Sequence, residues 1–419
     1  MNKQEIKQGI TMHSIETDKF KTNLIAVFLT TPLTRQNVTK EALLSLVLHR
    51  GSKKFRTQQE INIELEELYG ATFDYGIEKL GNNHVLKFYI ESIEDRFLPK
   101  EEKNLEKSFE MISDIIFNPY VEKNGFKEEY VETEKEKLKQ IILSKIDNKG
   151  TYAMSRCIEE MYPEDPYGLY KYGYVEDLDK IGAKELYEFY QELLRKCKID
   201  IFISTSKRED LKQLVMENEN IRSLNPRDPE YKVNQIEEKT KKEVQEKEEH
   251  MEVSQGKLII GMDILKCEEN TRFVSLLYNA ILGGTATSKL FQNVREKESL
   301  AYSAGSSYLK TKNNIFILCG IDIENKEKTI KIVKKQLEDM KQGNFTEEEI
   351  QNAKQGIIET IQTIPYEQDT EITYYFGQEL SNTNLNLAQY ANNIQQIDKK
   401  QIVDLANKIE INTIYFLTK

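Results

Sequence analysis

The two halves of this sequence follow the same order of secondary-structure signals, with a repeat length of roughly 200 residues. Each half opens with a β-rich run, at Asn23–Leu33 and Gly256–Leu265, and continues into a helix with periodic apolar residues, at Thr39–Gly51 and Thr271–Gly284. Each predicted helix begins with a threonine and ends with a glycine, as helix caps prefer. We therefore expect two similar domains instead of two unrelated ones.

The similarity between the halves continues beyond the first helix. Each half goes on with a polar helix, two alternating strands joined at an Asn-Asn turn, and a long helix. This order predicts an α+β fold with two tandem homologous domains, each an antiparallel sheet with helices packed on one face. We place the domains at 1–213 and 251–419, with a charged linker at 214–250. Within the linker, Gln235–His250 is almost entirely charged or amide, which predicts a solvated helix or a disordered link.

Charge and hydropathy argue against several classes of function. The net charge of −11 offers no basic footprint, so we expect no nucleic-acid partner. The longest apolar runs are far shorter than the roughly 20 residues of a membrane span, so we expect no membrane partner. The N-terminal residues lack the apolar region of a signal peptide, and the four widely spaced cysteines are typical of reduced thiols. These features predict a cytoplasmic protein.

The histidines are too scattered to form a local zinc or catalytic motif. They are His13, His49, His84 and His250, and no two of them lie one helical turn apart. A local His-Glu-x-x-His motif or its inverse is therefore absent. The glycine-rich segment Leu282–Lys289 lacks the Gly-Lys-Ser/Thr ending of a phosphate loop, and it follows a predicted helix instead of a strand.

One pair of donors stands at a predicted junction of helix and strand. Arg295 and Tyr302 are seven positions apart in the stretch Val294–Tyr308. A guanidinium and a phenol can both donate hydrogen bonds to a substrate carbonyl. The alternative is a surface arginine on a helix and a strand tyrosine packed in the core. Donors alone supply no catalyst, so the spacing leaves both interpretations open.

The repeat and this stretch together resemble a known family. The segments Ile281–Tyr308, Leu65–Gly76 and Asn344–Gln355 are similar to those of the insulinase and mitochondrial-processing-peptidase family of zinc metallopeptidases, in its two-domain bacterial form. The resemblance extends over essentially the whole chain. Ile281–Tyr308 resembles the second-domain signature, in which a glycine pair, Ser and Leu-Phe precede an arginine and a tyrosine. The resemblance implies two peptidase-like domains.

The sequence departs from that family at the zinc motif. Active members carry His-x-x-Glu-His on the helix before Gly51, and the two ligand positions fall here on Ala42 and Leu46. The position of the glutamate base holds Ser45, and the third ligand would fall at Glu132 or Glu134. Apolar side chains cannot bind zinc, and serine cannot replace a carboxylate base. We therefore expect no catalytic residue and no metal in this chain.

The resemblance gives the Arg/Tyr pair a role. In family members built from unlike subunits, one chain supplies zinc and the other supplies the arginine and tyrosine, which Arg295 and Tyr302 match. The resemblance implies a non-catalytic, substrate-holding subunit that works with a homologous zinc-bearing partner as a heterodimer. It also implies that the isolated chain can form homodimers. The zinc is expected in the partner chain. The substrate would be a peptide or an unfolded protein that adds as a strand to a sheet edge.

Two alternatives stay open at the level of sequence. One is a purely structural or interaction protein that keeps the fold without peptidase chemistry. The other is a self-sufficient metallopeptidase with unusual ligands, such as Glu132 or Glu134 with His49 or His84. Within the family, the chain is similar to a metal-motif-deficient bacterial branch associated with aminopentanol modification of elongation factor P.

Overall fold

The computed structural model describes residues 1–100, 102–206, 208–234, 238–268 and 270–419. In the first half of the chain the strands are β1 (Asn2–Lys7), β2 (Ile10–Glu16), β3 (Thr22–Pro32), β4 (Thr72–Leu80), β5 (Asn83–Ile93), β6 (Val121–Glu122), β7 (Gly125–Phe126) and β8 (Lys198–Thr205). The helices there are α1 (Val38–Leu48), α2 (Gln58–Glu67), α3 (Asn104–Phe117), α4 (Glu128–Leu143), α5 (Lys149–Met161), α6 (Val175–Leu178), α7 (Ala183–Lys196), α8 (Leu211–Glu217) and α9 (Glu219–Ser223).

The second half has the following elements. The strands are β9 (Gln245–His250), β10 (Gly256–Ile264), β11 (Ala301–Leu309), β12 (Asn314–Ile321) and β13 (Ile409–Thr418). The α-helices are α10 (Thr271–Asn279), α11 (Lys326–Lys341), α12 (Glu347–Thr363), α13 (Gln368–Leu380), α14 (Leu387–Gln395) and α15 (Lys399–Ala406). Two π-helical segments, Ala280–Gly284 and Phe291–Lys297, lie between α10 and β11. No helix in the described part of the chain is long and apolar enough to span a membrane.

The two main sheets have the same connectivity. Among the described residues, the first sheet has the strand order β1-β2-β8-β3-β5-β4 and the second has β11-β12-β10-β13-β9. In each sheet a central strand pairs antiparallel on both sides, with the following hairpin and with the last strand of its half. That last strand also pairs parallel with another strand, β8 with β2 and β13 with β9. The predicted α+β fold with two homologous, mainly antiparallel domains is confirmed.

The central strands form because their side chains are apolar on both faces. β3 has the sequence TNLIAVFLTTP, and all but its two terminal residues are buried. Ile25, Val27 and Leu29 belong to the core under helices such as α1 and α3. Phe28 points to the other face, where its ring stacks on Phe376 of α13 at 4.1 Å. A strand covered on both faces reads as a continuous apolar run, so helices lie on the second face as well as the first.

The predicted ends of the first helix are wrong in the first half of the chain and confirmed in the second half. α1 begins after Asn37 and ends before His49, so Thr39 lies inside it. The Thr39 hydroxyl donates to Asp177 at 2.7 Å and accepts from the backbone N–H of Tyr174 at 3.1 Å. At α1, tertiary hydrogen bonds have taken the place of local capping. In the second half the predicted bounds are confirmed: α10 begins at Thr271, and the helical run continues through the π-helical segment that ends at Gly284. The Thr271 hydroxyl accepts from the backbone N–H of Glu268 at 2.6 Å.

A glycine outside α1 is explained by packing. A Cβ atom at Gly51 would lie 2.5 Å from the carbonyl oxygen of Arg56. Gly51 does not have a positive φ angle, so its backbone conformation does not require glycine. The loop after α1 therefore folds back too closely for any side chain at this position.

Each of the two compact units includes a segment from the other half of the chain. One unit comprises Met1–Leu143, Leu169–Val233 and Pro365–Leu380, and the other comprises Ser144–Gly168, Asn234–Ile364 and Ser381–Lys419. As a result α5 packs on β10 and β13, while α13 packs on β3 and β8. A Cβ at Gly261 of β10 would lie 2.9 Å from the Met161 sulfur, so glycine lets α5 approach. The predicted domains 1–213 and 251–419 follow sequence order and do not include this exchange.

The predicted linker 214–250 contains regular structure. The first residues of its charged segment, 235–237, lie outside the described residues. The last six, Gln245–His250, form β9 and pair with β13 in parallel, so a solvated helix or disordered link is wrong for this part. All of its side chains except Glu249 are exposed. A charged edge strand is a common protection against pairing with other chains.

Candidate functional site

The positions of the emptied zinc motif lie in the hydrophobic core of the first unit. Ala42 and Leu46 on α1 are 1% and 8% exposed and pack among the other core residues. Ser45 is 2% exposed, and its hydroxyl donates to the carbonyl of Ala42 at 2.8 Å. None of the three side chains offers a ligand to a metal ion. The helix keeps its place in the fold, and apolar packing has replaced the metal chemistry.

Glu134 lies on the face of α4 that packs toward the core. Val131 and Leu138 flank it at i−3 and i+4 and are fully buried, and Glu134 itself is 1% exposed. Glu132 lies on the opposite side, with a side chain that is 60% exposed and paired with Lys135 at 2.7 Å. The helical register therefore makes Glu134 the counterpart of a buried ligand and leaves Glu132 on the surface.

Two cations stand near the Glu134 carboxylate. Nη1 of Arg50 lies 3.5 Å from Oε1, and Nζ of Lys137 lies 3.5 Å from Oε2. Within the described structure Oε2 accepts no hydrogen bond. A buried carboxylate is very costly unless a positive charge compensates it. Arg50 and Lys137 supply that charge here.

A hydrogen-bonded chain runs beside this carboxylate. The Lys137 ammonium donates to the hydroxyl of Tyr75 at 3.2 Å, and Tyr75 donates to Nε2 of His49 at 3.1 Å. Nδ1 of His49 faces the carbonyl of Leu46, which fixes the proton on that nitrogen. Burial lowers the pKa of His49 to about 4, with the Lys137 and Arg50 charges adding to the effect. His49 is therefore neutral near pH 7.

The other two buried histidines, His84 and His13, also have hydrogen-bonding partners. Both ring nitrogens of His84 are engaged, so neither is free to bind a metal. Its Nδ1 lies 2.5 Å from a Glu41 oxygen, and its Nε2 lies 2.8 Å from the carbonyl of Lys171. The Lys171 carbonyl can only accept, so Nε2 carries a proton, and Nδ1 shares a hydrogen bond with the buried Glu41 carboxyl group. His13 is bonded through Nε2 to Asp200 at 2.9 Å and stacks on Phe202.

The residues present do not fit a zinc ion. Of the four motif positions, only Glu134 has a side chain that can bind zinc, whereas a catalytic site needs three protein ligands. In the described part of the chain, no group of three or more His, Cys, Asp or Glu side chains is arranged to hold a metal ion. No catalytic step through a bound metal can be derived from this chain's own residues.

Arg295 and Tyr302 lie on the second unit, at the surface. Arg295 is in the π-helical segment Phe291–Lys297, with a side chain that is 44% exposed. Its guanidinium lies over the Phe291 ring at 4.6 Å, and Nε is 3.6 Å from a Glu296 oxygen. Tyr302 is 63% exposed, so the alternative of a strand tyrosine packed in the core is wrong. Among the described residues, the Arg295 and Tyr302 side chains form no hydrogen bond with each other.

The backbone holds the two residues close together along the chain. The N–H of Leu300 donates to the carbonyl of Val294 at 3.1 Å, which closes the loop between the helical segment and β11. Ser299 within this loop has φ of +51°, a left-handed conformation that is uncommon for serine. Tyr302 sits at a register shift of β11, which is an edge strand of its sheet. A bulge of this kind turns a side chain away from the regular alternation.

Sequence reasoning did not find the buried groups around the emptied motif. Arg50, Tyr75 and Lys137 come from three separate elements and meet only in the folded chain. The only local signal was the resemblance, which placed the third ligand at Glu132 or Glu134. Glu134 is flanked by apolar residues at i−3 and i+4, and this pattern would have distinguished Glu134 from Glu132.

Comparison with known proteins places the chain in a family. A family model described as "Peptidase M16 inactive domain" matches residues 180–357. The Bacillus subtilis (strain 168) protein named probable inactive metalloprotease YmfF is 32% identical over 420 residues, which are 98% of this chain and 96% of that protein. A second protein of that organism, the uncharacterized zinc protease YmxG, is 27% identical over 106 residues, 25% of this chain and 26% of its own length.

Solved structures agree over the full length. A conserved protein from Enterococcus faecalis V583 has a TM-score of 0.91 and 27% identity, covering 100% of this chain and 98% of its own. A peptidase M16 inactive domain from Pseudomonas fluorescens has a TM-score of 0.80 with 17% identity, covering 100% and 98%, a likeness that shows the fold alone. The sequence resemblance is thus confirmed: the chain belongs to the M16 family of metallopeptidases, that of insulinase and mitochondrial processing peptidase, as a member without the zinc motif.

Proposed function

We propose that this chain is the non-catalytic, substrate-holding subunit of an M16-type zinc metallopeptidase. Its partner is a homologous chain that carries His-x-x-Glu-His and the zinc ion, and the two chains form a heterodimer. The substrate is a peptide or an unfolded protein. The observation that carries this proposal is the contrast between the two halves, since the motif positions on α1 are buried in the core while Arg295 and Tyr302 keep exposed donors.

The chemistry of the exposed pair supports this role. A tetrahedral intermediate in peptide hydrolysis places negative charge on the former carbonyl oxygen, and donors aimed at that oxygen stabilise it. The Arg295 guanidinium lies over the Phe291 ring at 4.6 Å, a cation–π contact that holds it near this surface. Tyr302 adds a hydroxyl that is 63% exposed. Neither residue is tied up in a strong ion pair, because the Arg295–Glu296 pair is solvent-exposed and worth little.

The proposal extends to cellular context. A cytoplasmic location agrees with a surface rich in charge and four free cysteines. Association with aminopentanol modification of elongation factor P follows only from the sequence similarity to that branch. Genes that encode a partner with the intact motif would lie near the gene for this chain.

A reconstituted pair tests the proposal. This chain is mixed with the homologous motif-bearing chain of the same genome, and hydrolysis of a fluorogenic peptide library is followed. Arg295→Ala is expected to lower kcat by about 10²- to 10³-fold, as removal of one oxyanion donor does. Tyr302→Phe should lower it as well, while Tyr366→Phe is the matched control because Tyr366 is 69% exposed and lies in a different segment.

Two outcomes would contradict the proposal. If the pair is active and Arg295→Ala leaves its kcat and KM unchanged, the assigned role of the pair of donors is wrong. If the two chains form a stable complex that cleaves no peptide, the chain is a structural or interaction protein instead. Zinc bound stoichiometrically to this chain alone would favour the self-sufficient peptidase.

A further inference from the structure

A cavity of about 610 Å³ opens on the first unit, away from the emptied motif positions. Its walls come from the loop 51–56 after α1, the segment 117–121 at the end of α3, the part of α7 from Tyr187 to Arg195, and the end of α9. The volume lies within the range of roughly 300–1,000 Å³ that is typical of small-molecule sites. We call it the aromatic–basic cavity, after the side chains described next.

Backbone hydrogen bonds hold two of its walls together. The N–H of Lys53 donates to the carbonyl of Asn118 at 2.8 Å, and the N–H of Tyr120 donates to the carbonyl of Gly51 at 3.1 Å. Ser52 and Pro119 form a β-bridge between these contacts. Gly51 permits this approach because a side chain there would meet the Arg56 carbonyl. The cavity is therefore built into the fold before any ligand arrives.

The charged side chains that line the cavity are all positive. Lys53, Arg56 and Arg195 line it, and no aspartate or glutamate is among its described lining residues. None of these three cations forms an ion pair within the described chain, although their sequence neighbours do. Lys54 pairs with Glu110 at 2.9 Å, and Lys196 pairs with Glu192 at 3.0 Å. In a chain with a net charge of −11, three unpaired cations around one cavity favour an anionic ligand.

Aromatic rings form the rest of the wall. Tyr190 is 3% exposed, and its hydroxyl donates to the carbonyl of Ile116 at 2.8 Å, which fixes its ring. Tyr187 stacks on Tyr190 with centroids 6.0 Å apart, and Phe126 meets Tyr187 edge-on at 5.5 Å. Tyr120 also lines the cavity, with its ring centre 5.8 Å from the Arg56 guanidinium and its hydroxyl donating to Glu122 at 2.9 Å. Fixed rings facing a cavity provide stacking surfaces for a flat ligand.

We propose that the aromatic–basic cavity binds a small ligand that joins a phosphate group to an aromatic ring, the chemistry of a nucleoside monophosphate. The guanidinium groups of Arg56 and Arg195 and the Lys53 ammonium bind the phosphate, since planar guanidinium forks match phosphate oxygens. The tyrosine rings stack on the base. This site is separate from Arg295 and Tyr302, and its occupancy does not depend on the proposed peptidase role.

Calorimetric titration of the full chain at low salt tests the site. The probes are adenosine 5′-monophosphate, ribose 5-phosphate, which lacks the ring, and adenosine, which lacks the phosphate. The monophosphate is expected to bind at one site per chain and about tenfold more tightly than either fragment. Arg195→Gln and Lys53→Gln should each weaken its binding by about tenfold, the loss of one hydrogen bond to a charged group.

The neighbouring paired cations supply matched controls. Lys196→Gln and Lys54→Gln remove the same charge within one residue of Arg195 and Lys53, but their side chains pair outside the cavity. These controls should leave the dissociation constant within about twofold. Equal weakening by the controls would overturn the site, because general attraction would then explain the binding. No binding of the monophosphate at about 1 mM, or ribose 5-phosphate binding as tightly as the monophosphate, would overturn it as well.

Discussion

Replacement of His49 by phenylalanine should remove a pH dependence of stability that the fold builds into the first unit. His49 is 6% exposed, its ring stacks on Tyr75 at 4.1 Å, and its nitrogens are bonded to Leu46 and Tyr75. Phenylalanine keeps a ring of similar size in the stack. It cannot take up a proton, so the variant isolates the titration of the imidazole from its packing.

The size of the effect follows from the pKa difference. Burial lowers the pKa of His49 from 6.5 to about 4 in the folded chain. The unfolded chain therefore binds a proton more readily between these values, and the folded state loses stability as the pH falls. The stabilising contribution is fully present above about pH 6.5, and about 3 kcal/mol is lost once the pH is below 4. Between pH 7 and pH 5 the expected loss is about 2 kcal/mol.

Urea unfolding at pH 7 and pH 5 measures this loss. The wild-type free energy of unfolding should fall by about 2 kcal/mol more than that of His49→Phe over this interval. His250→Phe is the matched control for the loss of an imidazole at an exposed position. With only four histidines in the chain, the ring signals can also be followed by NMR, and the His49 ring should stay neutral at pH 5.

Two results would refute this reasoning. The first is an equal pH dependence in the wild type and in His49→Phe, which would mean that the buried imidazole does not titrate differently in the two states. The second is a His49 ring signal that changes with a midpoint near 6.5. Either result would show that water reaches the ring and that its desolvation is small.

Other predictions concern the surroundings of this histidine and the backbone. His84→Ala should destabilise the first unit by about 3–5 kcal/mol in urea unfolding, because it leaves the Glu41 carboxyl group buried with only the Thr31 hydroxyl as a partner. A loss below about 1 kcal/mol would contradict the importance of the buried His84–Glu41 pair. Gly51→Ala should cost about 1–3 kcal/mol because of the close Arg56 carbonyl, while Gly356→Ala, in open space within α12, should stabilise by about 0.5–1 kcal/mol. Restoring His-x-x-Glu-His at the three motif positions on α1 should create a site for about one zinc ion per chain, which elemental analysis measures. Adding Glu134→Gln should abolish this site. Zinc retained without Glu134 would contradict the assignment of Glu134 as the third ligand position.

Local sequence patterns predict most of the secondary structure, but they do not predict which distant strands pair. The apolar run of β3 and the alternating hairpin strands are visible in the sequence because burial repeats with the period of the strand. The parallel pairing of β8 with β2 and of β13 with β9 joins residues far apart in the chain, and no local signal specifies it. The charged run at Gln245–His250 was interpreted as a link because it lacks apolar residues, yet its backbone completes a sheet edge.

The sequence by itself determined that the chain repeats an α+β unit, that it resembles the insulinase family, and that Ala42, Ser45 and Leu46 cannot hold or use zinc. These conclusions depend on residue identity and order, which the sequence contains in full. Tertiary structure alone decided that Arg50 and Lys137 meet at the Glu134 carboxyl group. It also decided that α5 and α13 are exchanged between the two units and that Tyr302 is exposed at a strand bulge. Each of these depends on which surfaces pack together after folding, because burial, ion pairing and exposure are set by tertiary contacts and not by the local sequence.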